Sequence, residues 1–256
     1  MQAIILSTET VVIPLLLTVI AGLATCIGSL IFLFIKRFKD THLVFCLGLS
    51  AGAMIYVSFV ELLRTAISTN GFITANLIFM AGIIFMMIID FITPHEYLLE
   101  KEGLNPEYKQ LYPTGVFIAI GITIHNFPEG MAVFLSGVAN LHLGIALAIA
   151  IAAHNIPEGI AVSMPIYYST KSKGKAFLYS FLSGIAEPIG AIIALVFFYN
   201  ILTESIIGNL YAFVAGIMVF ISFDELLPQA FQTDHHHHAI YGLLFGIMVM
   251  MFSLAF

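Results

Sequence analysis

Eight stretches of about 20 residues pass through this chain almost without charge, each long enough to cross the hydrocarbon core of a bilayer as a helix. The breaks between them are charged or rich in Gly, Pro and Asn. Inside lipid a backbone must satisfy its own hydrogen bonds, and for runs of this length the helix does so. The runs predict α1 over residues 10–35, α2 over 42–66, α3 over 74–94 and α4 over 114–138. They continue with α5 over 143–167, α6 over 175–199, α7 over 206–230 and α8 over 239–256. Only 9% of the 256 residues are charged, against about 25% in a soluble domain, so the solvent expected is the bilayer. The fold expected is an all-α integral membrane protein forming a single transmembrane domain over residues 1–256. No basic stretch precedes the first run, which is of full length, so it reads as a helix rather than a cleaved leader. Cys26 and Cys46 lack C-x-x-C spacing and read as small core residues.

Basic residues set the direction of the spans. Lys36, Arg37 and Lys39 follow α1, Lys101 and Lys109 follow α3, and Lys171, Lys173 and Lys175 follow α5. The alternate loops, around 68–73, 139–142 and 200–209, contain no Lys or Arg, and Arg64 sits at the far end of α2. By the positive-inside rule the basic side is cytoplasmic, which places both termini outside a cell membrane. The net charge of −6, with its basic residues scattered over loops, excludes a nucleic-acid-binding face.

Two segments recur. His125-Asn126-Phe127-Pro128-Glu129-Gly130-Met131-Ala132-Val133 returns as His154-Asn155-Ile156-Pro157-Glu158-Gly159-Ile160-Ala161-Val162. The stretch from Gly52 to Leu63 on α2 resembles that from Gly216 to Leu227 on α7, with the shared pattern G-x-M-x-x-x-S-F-x-E-L-L. With the spans alternating in direction, α4 opposes α5 and α2 opposes α7, so both pairs are inverted across the membrane plane. Inverted repeats are a mark of transporters whose site lies near the midplane.

His125 and His154 fall near the centres of their spans. At 100° per residue, His and Glu four apart differ by about 40°, and Asn flanks the Glu on its other side. All three side chains of each motif therefore project from one side, and each Glu is placed to bridge two adjacent ions. Imidazole and carboxylate suit zinc, iron, manganese and cobalt, while the lack of thiolates argues against copper(I). Pro128 and Pro157 have no N–H, which frees the carbonyls of Ile124 and Ala153. Glu187, followed by Pro188, adds a third carboxylate at mid-span. An acidic group there costs roughly 3 kcal/mol on insertion scales, so three cost about 9 unless matched by positive charge. With no Lys or Arg at that depth, a divalent cation is the natural counter-charge. Small residues on the same helices, Gly121, Gly130 and Gly137 on α4 and Gly144 and Gly159 on α5 among them, allow close approach.

On these paired H-N-x-P-E-G segments and the eight-helix plan, the whole chain resembles the ZIP family of divalent metal transporters, in its bacterial and archaeal zinc-uptake branch. The resemblance implies a 3+2+3 inverted-repeat bundle, a homodimer and metal moved toward the cytoplasm. It implies that His125, Glu129, His154 and Glu158 are ligands of one metal position. Asn126, Asn155 and Glu187, sharing Glu129 and Glu158, would form a second. Members of this family are proposed to slide a block of α1, α4, α5 and α6 past a scaffold of α2, α3, α7 and α8. Where many relatives carry a histidine-rich α3–α4 loop, this chain has only His95, and places His235, His236, His237 and His238 between α7 and α8 instead. The histidine run reads as a metal-receiving or regulatory segment. Asp90, His95, Asp224 and Glu225 share the cytoplasmic end by topology and suggest an exit path, while Glu61 and His142 suggest an entry.

Transport of zinc, with iron, manganese, cobalt or cadmium as other cargo, is thus the function expected, with lipid and the metal as partners. Two alternatives stand beside it. An intramembrane metalloenzyme would use a carboxylate-bridged metal pair to activate water, although H-E-x-x-H is absent. A metal exporter or sensor would share the same composition. No G-x-x-x-x-G-K-[ST] segment occurs, so drive by ATP within this chain is not expected.

Overall fold

The computed structural model describes residues 8–34, 39–92, 111–198, 203–231 and 235–254. Every regular element among them is helical. α1 spans Thr8–Phe34, α3 Phe72–Ile92, α4 Leu111–Ala139, α5 Leu141–Thr170 and α8 His236–Ser253. α2 joins Asp40–Val57 to Arg64–Asn70 through a π-helical turn at Ser58–Leu63. α6 comprises Lys173–Gly184 and Ala186–Ile193 and ends in a π-helical turn at Ala194–Phe198. α7 runs from Glu204–Ile221 through a π-helical turn at Ser222–Leu226 into Leu227–Phe231. Among the described residues, seven of these runs are long and apolar enough to cross a membrane, and α8, of 18 residues, lies along α2.

The connections explain where the helices stop. α2 passes its expected end and closes at Gly71, whose φ of 82° is open to a residue without Cβ. α4 and α5 are separated by Asn140 alone, whose side chain accepts from the backbone N–H of His142 at 3.0 Å and of Leu143 at 3.3 Å. That cap satisfies donors at the helix start that would otherwise be orphaned, and so permits a very tight reversal. Ser172 caps α6 and Thr203 caps α7 in the same way. α6 breaks at Ile185 because Pro188 cannot donate back to the preceding turn.

Helix contacts sort the chain into two bodies. In the first, α1 lies along α5, with α4 and α6 against both. In the second, α2 lies along α8 and α3 along α7. Glycines set the spacing inside each body. A side-chain carbon at Gly159 would overlap the carbonyl oxygen of Thr25, one at Gly28 that of Ile156, and one at Gly190 that of Phe127. In the second body Gly48 and Gly52 seat the α8 backbone at Ala239 and Leu243, while Gly242 and Gly246 seat the α2 backbone at Phe45 and Leu49. Such contact lets helices meet backbone to backbone, as in close-packed membrane pairs. Among the described glycines, none is packed against the backbone of the other body. The seam between bodies, chiefly α2 on α5 and α4 on α7, is formed by buried aliphatic side chains.

The α2 and α7 segments that recur in sequence are alike in structure. Gly52 seats α8 and Gly216 seats α3, at Leu243 and Phe79. Ser58 donates to the Met54 carbonyl at 2.7 Å, and Ser222 to that of Met218 at 2.8 Å. Each serine then opens a π-helical turn, which carries Glu61 in one repeat and Glu225 in the other. A hydroxyl bonded back four residues loosens the ladder where an extra residue is accommodated.

Candidate functional site

The two H-N-x-P-E-G segments meet face to face at the centre of the first body. His125 is the middle residue of the 29 in α4, and His154 lies beside the midpoint of the 30 in α5. The helices run antiparallel, so the motifs pair crosswise. His125 Nε2 lies 3.1 Å from Glu158 Oε2, and His154 Nε2 lies 3.4 Å from both oxygens of Glu129. In both pairs the residue numbers add to the same total, as an antiparallel register requires.

Around this core the asparagines tie the site to α1 and α6. Asn155 Nδ2 donates to Glu187 Oε1 and to the Ala21 carbonyl, the latter at 2.9 Å. Asn126 Nδ2 donates to the carbonyl of Ser183 at 3.1 Å, just before the α6 break. The break places Glu187 in the first turn of the second α6 segment, facing the motifs. Gly130, the last residue of its motif, brings it there: a side-chain carbon at Gly130 would overlap the backbone of Glu187 itself. Gly159 holds the corresponding place against Thr25 of α1. The glycine of H-N-x-P-E-G is therefore the seat for a neighbouring helix, a specific role within the small-residue packing read from sequence.

All seven polar residues of the cluster, His125, Asn126, Glu129, His154, Asn155, Glu158 and Glu187, have 0% exposure. Their hydrogen bonds leave six of their buried polar atoms without a hydrogen-bond partner: Nδ1 of His125 and of His154, Oδ1 of Asn126 and of Asn155, Oε1 of Glu129 and Oε2 of Glu187. Buried polar groups are ordinarily paired, so this concentration is unusual. The four oxygens can only accept, and neutral imidazole offers one acceptor nitrogen. Three carboxylates share the site with no described Lys or Arg beside them; the described basic side chains, Lys39, Arg64, Lys171, Lys173 and Lys175, lie at helix ends. Among the described residues, no three His, Cys, Asp or Glu side chains already converge as one ligand set. Instead they satisfy one another in pairs.

Several contributors escaped the sequence reading. Ser50 of α2 donates to Glu158 Oε1 at 2.7 Å, reaching the site from the second body. Ser136 of α4 and Tyr211 of α7 share a hydrogen bond across the same seam. Glu225, expected on an exit path, packs its carboxylate on Gly121, one helical turn before His125, within electrostatic range of His125, Asp90 and Asp224. Glu61 accepts from the Thr65 hydroxyl at 3.3 Å and lies 3.8 Å from Arg64. His142 is exposed at the start of α5, and His235 to His238 are exposed at the start of α8, their rings in mutual contact. Among the described hydrogen bonds and ion pairs, none joins Glu61 or His142 to the central cluster. His95 lies outside the described residues.

Comparison with known proteins identifies the family. The family described as ZIP zinc transporter matches residues 93–254. A protein named zinc transporter ZupT from Akkermansia muciniphila is 46% identical, over 96% of this chain and 97% of its own length. Proteins of the same name from Chlorobium phaeovibrioides and Clostridium perfringens are 50% and 47% identical, covering 94% and 96% of this chain and 96% of each relative. By the match to the family and by identity over nearly its full length, the chain belongs to the ZIP family of zinc transporters.

Proposed function

We propose that this protein moves a divalent metal ion, zinc first, across a cell membrane into the cytoplasm through the cluster on α4, α5 and α6. One observation carries the reading: three buried carboxylates, two imidazoles and two amides converge at mid-helix with six polar atoms lacking a hydrogen-bond partner and no described Lys or Arg beside them. A divalent cation supplies the missing charge, and nitrogen and oxygen donors suit zinc, with iron, manganese, cobalt and cadmium as further cargo. His125, Glu129, His154 and Glu158 form one position. Asn126, Asn155 and Glu187 form the second, with Glu129 and Glu158 shared. The relatives named zinc transporter ZupT support zinc as cargo.

In this reading the paired state of the site is what cargo displaces. The ion takes Glu158 from His125 and Glu129 from His154, and turns internal contacts into coordination. Burial lowers the local dielectric and strengthens attraction between carboxylate and cation. Asp90, Asp224 and Glu225 then offer oxygens toward the cytoplasmic end, and His235 to His238 receive metal beyond them. A homodimer with both termini extracytoplasmic completes the proposal. The metalloenzyme alternative falls away, since the family is one of transporters.

Zinc uptake by proteoliposomes tests it. Glu129→Ala and His154→Ala proteins that remain monodisperse should lose at least about 100-fold in initial rate, on the scale of removing a buried charged partner. Uptake at the parental rate would refute the assignment.

A further inference from the structure

The seam between the two bodies is largely apolar, and apolar contact has little directional preference. Hydrogen bonds, in contrast, fail within a fraction of an ångström beyond their range. Such bonds cross this seam from Ser50 to Glu158 between α2 and α5, and between Ser136 and Tyr211 on α4 and α7. Sliding one body by a helical turn of about 5.4 Å would preserve most apolar burial and break both bonds. The glycine-seated contacts inside each body would be untouched.

We propose that Ser50 and Tyr211 fix the register of the two bodies, and that Ser50 is a positioning residue that ties this register to the site through Glu158. The bond to Ser50 engages Glu158 Oε1, and so draws on the carboxylate that a bound cation would share. Occupation of the site therefore competes with the bond that holds the seam, and favours its release. This part rests on Glu158 being a ligand, as proposed above. Ser50 itself contributes no coordination; it decides where the carboxylate points and which body it is held to.

The test is pulsed electron spin resonance on the full chain in lipid nanodiscs. Spin labels go on Leu178→Cys of α6 and Leu244→Cys of α8, both exposed and on different bodies, with Cys26 and Cys46 replaced by Ala. Ser50→Ala should change the ratio of the parental distance to a second distance by about tenfold, the scale of a hydrogen bond to an ionised group. Tyr211→Phe should change it in the same direction by about threefold, as for a neutral pair. Ser50→Thr, which keeps the hydroxyl, should retain the parental distribution. Distributions unchanged in both Ser50→Ala and Tyr211→Phe overturn the proposal, as does a Ser50→Thr protein that behaves like Ser50→Ala. The reading of Glu158 as a ligand fails separately, if Glu158→Gln binds zinc as tightly as the parent, and that result leaves the distance measurement intact.

Discussion

Inside each body, helices meet through glycine, carbonyl against Cα; across the seam they meet through aliphatic side chains and isolated hydrogen bonds. The difference is one of tolerance. A glycine-seated interface cannot accept even one added carbon without displacing a helix, whereas an aliphatic surface has neighbours that can repack. This chain therefore has two interlocked halves joined along a smoother boundary, and the polar cluster lies in one half, with Ser50 hydrogen-bonded to it from the other.

The largest break in that comparison is a side chain placed on a seating glycine. Gly159→Val places carbons where the Thr25 carbonyl lies and should cost about 3 kcal/mol or more, seen as loss of monodisperse protein or a lower Tm in detergent. A parental Tm would mean that the interior is as forgiving as the seam. Next comes Tyr211→Phe, which removes one neutral bond at the boundary and should cost about 1 kcal/mol in the same melt. A loss as large as that of Gly159→Val would erase the distinction. The smallest effect belongs to Ser222→Ala at the π-helical turn of α7, whose hydroxyl only bonds back along its own helix; about 0.5 kcal/mol or less is expected in thermal unfolding. A greater loss would show that the turn depends on that serine.

Much of this was legible in the chain itself, and the physical reasons differ by feature. Apolar runs of bilayer length can hardly be anything but helices, so α1 to α8 could be drawn from hydropathy, and the tight cap at Asn140 follows from its side chain. The crosswise meeting of His125 with Glu158 and of His154 with Glu129 follows from two identical motifs on antiparallel neighbours. Glu187 was visible as a carboxylate beside a proline. Ser50 was not, because a serine in an apolar helix commonly bonds to its own backbone, as Ser58, Ser169 and Ser222 do. Only the packing of α2 on α5 turns it toward Glu158. Tyr211 and Ser136 were hidden for the same reason, since neither position carries a local signal of its partner. The π-helical turns were half-visible: the repeated Ser-Phe-x-Glu marked the two places as equivalent without revealing the extra residue in the ladder.

The position of bound zinc tests the site itself. Crystals of the zinc-loaded protein, measured at the zinc absorption edge, should give anomalous peaks within the α4–α5–α6 cluster. One is expected among His125, Glu129, His154 and Glu158, and a second on the side of Asn126, Asn155 and Glu187. Peaks confined to His235 to His238, with none inside the cluster, would contradict the account.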